Sequence, residues 1–162
     1  MIVIAQAIGA LALIPFLLFA RALDGRARTS DGVERSWIMP TAVLVVLAEI
    51  VTNAVPVLIV VMNDATSAMV HTLTKVEDVA DAFLFVALSV FVLAVVRERP
   101  RWITAVGWAS ATLMLVHAAL SLFGVSTLQA IAPLSLVVFL LVLGIRLLVG
   151  PVPEPERNAS SV

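Results

Sequence analysis

The chain has 162 residues, 62% hydrophobic and 13% charged, whereas a soluble domain is about half apolar and about a quarter charged. That composition describes an integral membrane protein. A formal net charge of −1 provides no footprint for nucleic acid, and the absence of cysteine excludes disulfides, thiolate metal sites, iron–sulfur clusters and cysteine nucleophiles.

A membrane helix needs ~20 mostly apolar residues to cross a hydrocarbon core of about 30 Å. The first span is expected at about 2–20, in MIVIAQAIGALALIPFLLFA. No basic stretch precedes it and no small-x-small cleavage pattern stands before Arg21, so it reads as a retained span rather than a cleaved leader. Gly9 and Pro15 fit close packing or a kink. LDGRARTSDGVERS follows, with Gly25 and Gly32, and reads as a solvated connection.

The second span is expected at about 37–62, from Trp37 to Met62. Beyond it lies NDATSAMVHTLTKVEDVADAF, where Met69, Leu73, Val76, Ala80 and Phe83 recur at helical spacing. An amphipathic outer helix is expected over about 65–78, capped by Asp64 or Thr66, leading into a third span at about 79–96. RERPRW is a short hairpin whose Pro100 opens the fourth span, about 102–124. The fifth span covers about 129–149, with Gly107 and Gly144 as packing positions in the last two. The whole is one all-α polytopic bundle over 1–150, and the proline-rich tail 151–162 lacks apolar periodicity and is expected to be mobile.

Charge sets the orientation. Arg21, Arg26, Arg28 and Arg35 lie between spans one and two; Arg97, Arg99 and Arg101 lie between three and four; Arg146 and Arg157 lie at or after the end of span five. The other side has a single basic residue, Lys75. The positive-inside rule therefore places the N-terminus outside and the C-terminus in the cytoplasm of a bacterial cell membrane. Trp37 and Trp102 fall at the cytoplasmic boundary, where indole rings favour the headgroup layer.

Within the apolar runs, LAEIVTNAVP is the exception. Glu49 stands 12 residues after Trp37 and 13 before Met62, near mid-membrane. Glu49, Thr52, Asn53 and Pro56 share one face by i, i+3, i+4, i+7 spacing. A charge at the bilayer centre costs at least ~3 kcal/mol, so this face should meet protein or water. Pro56 also frees the carbonyl of Thr52 at the same level. In span four, Ser110, Met114, His117 and Ser121 form a stripe, with His117 about 10 Å below the outer boundary and Asn53 about 14 Å below it. Asp81 enters from the outer end of span three, below Glu77 and Asp78.

These residues suggest an outward-facing polar pocket lined by Glu49, Asn53, Asp81 and His117, with Thr52 and Ser121 behind them. It would bind a small or lipid-like ligand or an ion, or pass a proton. Interhelical hydrogen-bonding glue, at about 1 kcal/mol per residue, is the structural alternative. A third use is contact with a second copy or a membrane partner protein, which makes the chain an accessory subunit of a larger complex.

A haem-binding electron carrier is a further reading, but a His pair must face across one level, and His71 falls outside the hydrocarbon layer while His117 falls within it. Glu77, Asp78 and Asp81 complement a helix N-terminus or bind a divalent cation with several water ligands. No metal or cofactor is required by these residues. No HExxH, GxSxG or P-loop is present, which points away from an enzyme. DGRAR shares letters with the CDP-alcohol phosphotransferase motif, but the spacing of the later aspartates does not follow it.

ALSVFVLAVVRERPRWITAVGWASATLMLVHAALSLFGV and IAPLSLVVFLLVLGIRLL together resemble an actinobacterial-type multi-pass membrane protein family catalogued as a domain of unknown function. The resemblance covers roughly 65–150. It rests on the hairpin ending Pro100-Arg101-Trp102, the Gly107 span after it, the last span ending Gly144, Arg146 and Leu147, and the polar lead HTLTKVEDVADAFLFVAL. It implies an all-helical membrane fold and, in other members, a further upstream helix that leaves the orientation of these spans unchanged. It carries over no activity and no catalytic residues.

Overall fold

The computed structural model describes residues 2–31, 36–62, 66–97, 99–125 and 130–149, with the side chains of the first helix described over 11–28. They form five helices and, among the described residues, no strand: α1 (Ile2–Asp31), α2 (Ile38–Val61), α3 (Ser67–Val96), α4 (Arg101–Leu122) and α5 (Ile131–Val149). Helices α2 to α5 are each long and apolar enough to cross a membrane. The all-α bundle expected from composition is the observed fold.

One expected break is absent. Helix α1 does not stop near residue 20 but runs through Gly25 to Asp31, where a solvated connection was expected. The reason is local chemistry. Ala22, Leu23, Arg26, Ala27 and Arg28 are good helix formers, and Arg28 bonds Asp24 one turn back at 2.9 Å. Gly25 has open space around its Cα, and its cost of about 1 kcal/mol relative to Ala is tolerated. Gly32 and the tail lie outside the described residues.

The outer helix and span three are continuous. They are one helix, α3, of 30 residues and about 45 Å. That exceeds the hydrocarbon thickness by about 15 Å, so an upright α3 extends its polar first turns beyond the hydrocarbon. Thr66 is its cap, its side chain accepting from Met69 N at 3.4 Å; Asp64 lies outside the described residues. Pro100 precedes α4 as expected, and the Thr104 hydroxyl reaches Val96 O at 3.2 Å across the hairpin. Gly124, at φ +72°, takes the left-handed conformation that ends α4.

Helix α3 is the middle of the bundle, with α2 on one side and α4 on the other; α1 packs on α2 and α5 on α4. Half of its most apolar window is buried within the protein, against 17% for α2 and α5. Phe91, Val92 and Val96 of α3 pack with Ile103 and Met114 of α4 and Phe139 and Leu143 of α5 in one core. Phe16 of α1 reaches Phe91 with ring centroids 5.1 Å apart. Lipid tails are as apolar as these side chains, so helix contact depends on close fit and on interhelical hydrogen bonds. Both are present. Ser89 donates to Ala111 O at 3.1 Å, and Ser110 donates to Ser135 O at 2.7 Å. Gly107 sits where an added Cβ would strike Val96 and the Phe139 ring.

Candidate functional site

On α2, the interval of four between Glu49 and Asn53 brings their side chains together. Asn53 Nδ2 donates to Glu49 Oε1 and to the Glu49 carbonyl, each at 2.8 Å. Both residues are half-buried. The amide supplies a donor to the carboxyl oxygen at a depth where few donors exist, which lowers the cost of placing Glu49 there.

On the far side of α3 a second pair forms between helices. His117 of α4 is buried to 3% exposure, and its Nε2 lies 3.7 Å from Asp81 Oδ2 of α3. Its Nδ1 is fully enclosed and has no hydrogen-bond partner. Phe85, one turn below Asp81, meets the imidazole edge-on with ring centroids 4.4 Å apart and an interplanar angle of 76°. The imidazole is thus held between an aromatic ring and a carboxylate that is partly open to the outside of the helix pair, its side chain 35% exposed.

Asp81 joins the two pairs electrostatically. It lies within reach of the charges of His117 on α4, Glu49 on α2 and Asp78 on its own helix. Helix α3 therefore stands between the two faces that the sequence placed opposite one another. The four residues follow one another across three helices in a row, Asn53–Glu49 on α2, Asp81 on α3 and His117 on α4.

The supporting residues expected from spacing turn to their own helices. Thr52 donates to Ala48 O at 3.1 Å and Ser121 to Ala118 O at 3.0 Å. Of the four row residues only Asn53 borders the cavity of about 390 Å³ between α1 and α2, whose other walls are apolar and include Leu13, Ile50, Val57 and Val61. His71 is exposed on α3, ten residues and about 15 Å along the helix from Asp81, so the two histidines do not face one another. Among the described residues no group of three or more His, Asp or Glu side chains is placed to hold a metal ion.

Phe85 and Ser89 were not singled out in the sequence. Phe85 is one apolar residue among many, and only the fold shows which ring meets His117. Ser89 carried a readable signal, as a hydroxyl inside an apolar run, of the kind that bridges membrane helices.

No family model, curated protein or solved structure matches the chain, so its chemistry is read from this row of residues alone.

Proposed function

We propose that the chain is a non-enzymatic proton-binding module of the bacterial cytoplasmic membrane, with five spans, its N-terminus outside, and its site in the outer half of the bundle. The observation that carries this reading is the buried His117, one nitrogen facing Asp81 and the other without a partner in an apolar interior. An imidazole and a carboxylate at this separation can exchange one proton with little movement, and the exposed edge of Asp81 is the proposed route to the outside. Glu49, held by Asn53, is the next acceptor toward the centre. The family that residues 65–150 resemble would be consistent with such a module and adds no activity to it.

Infrared difference spectra between acid and neutral pH, taken on the chain in lipid nanodiscs, test this. A protonated-carboxyl band is expected that disappears in Asp81→Asn and moves in His117→Gln. Spectra unchanged by both substitutions reject the reading.

A second reading, an accessory subunit of a membrane complex or a homo-oligomer, is favoured by the groove between α1 and α2, where Asn53 stands in an otherwise apolar wall. A stoichiometric partner retained in mild detergent, and lost in Asn53→Leu, would put it first.

A further inference from the structure

The C-terminal end of α1 carries a buried carboxylate that the polar row does not use. Asp24 is 6% exposed, and its Oδ1 is enclosed without a hydrogen-bond partner. Its Oδ2 accepts from Arg28 Nε at 2.9 Å. The Arg28 side chain is 53% exposed, and its terminal nitrogens have no protein partner among the described residues. A guanidinium fixed through Nε presents its remaining edge, the two Nη groups, in the geometry that takes a phosphate in bidentate fashion.

Position along the helix selects the phosphate's source. Side chains on a helix lean toward its N-terminus, and the bond to Asp24 brings the Arg28 head group back by one turn, about 6 Å. Its level is then that of Asp24, about 6 Å beyond the end of the apolar run near residue 20. The headgroup layer of a bilayer lies at that height, extending about 5–8 Å beyond the hydrocarbon on each side. Arg21, exposed and seven residues before Arg28, lies on the same face, its Cα about 5 Å nearer the apolar run than the level of Asp24. Trp37, 63% exposed at the start of α2, belongs to the same end of the bundle, as expected of an indole at the interface.

We propose that Arg28, oriented by Asp24 and joined by Arg21, binds the phosphate of an anionic phospholipid in the leaflet at this end of the bundle. Asp24 is a positioning residue: it touches no lipid but sets which edge of the guanidinium is offered. With the orientation proposed above, the leaflet is the cytoplasmic one, where anionic lipids attract basic segments. This inference rests on the membrane reading and is independent of the proton site.

Lipid retention by the purified full chain, measured by native mass spectrometry with phosphatidylglycerol and phosphatidylcholine, tests it. The wild type should retain phosphatidylglycerol several-fold over phosphatidylcholine. Arg28→Lys keeps the charge and should lose most of that preference. Asp24→Asn removes a negative charge, so general attraction would raise retention, whereas positioning predicts a several-fold fall. Retention in Asp24→Asn equal to or above wild type, or an Arg28→Lys variant indistinguishable from wild type, overturns the proposal. Displacement of the lipid by inorganic phosphate would assign the site to a soluble anion and overturn it as well.

Discussion

His117 of α4 and Asp81 of α3 are 3.7 Å apart, and each is the other's only titratable neighbour within ion-pair distance among the described residues. The pair joins two helices and buries the imidazole, so its members should not contribute independently. Asp81→Leu leaves the buried imidazole with no polar contact and is expected to cost about 1–3 kcal/mol of stability. His117→Phe added to that variant removes the orphaned group and should recover part of the loss, since an apolar replacement of both partners can be nearly neutral. Equilibrium unfolding in bicelles measures both, and additive losses would contradict the coupling.

Glu49 and Asn53 form the corresponding pair within one helix, at 2.8 Å. Asn53→Leu removes the donor and leaves the half-buried carboxyl without it, for an expected loss of about 1–3 kcal/mol. Glu49→Gln keeps an oxygen for the Asn53 amide and should cost less than about 1 kcal/mol. The same unfolding measurement ranks the two, and the reverse order would show that Asn53 does not support Glu49.

Gly107 closes the fit between α3, α4 and α5. Gly107→Val puts its branched side chain against Val96 and Phe139 and is expected to cost at least about 1–3 kcal/mol, the usual range for overpacking. Gly144→Ala, with open space around its Cα, serves as the control and should leave stability unchanged or raise it by up to about 1 kcal/mol. Comparable losses at both positions would remove the distinction between a packed and an open glycine.

The absence of native cysteine makes orientation directly measurable. Lys75→Cys should react with a membrane-impermeant maleimide in intact cells, while Arg99→Cys should react only after the membrane is opened. Labelling in the opposite sense would reverse the orientation assigned from arginine placement.

The helices and the charge asymmetry between their connections were legible in the residues themselves. Hydropathy is a local sum: a run such as that from Ile131 to Val149 needs no partner to reveal that it favours hydrocarbon. That Glu49 and Asn53 share one face was readable for the same reason, because an interval of four on one helix fixes proximity, while their hydrogen bond is a finding of the structure. Which helices are neighbours was not readable. Every span offers an apolar surface that lipid satisfies as well as protein does, so adjacency is decided by shape and by single hydrogen bonds such as Ser89 to Ala111. Only the tertiary structure put α3 between α2 and α4, brought Asp81 to His117, set Phe85 against the imidazole, and buried Asp24 near the end of α1. Those relationships depend on distances between residues far apart in the chain, which composition and periodicity do not contain.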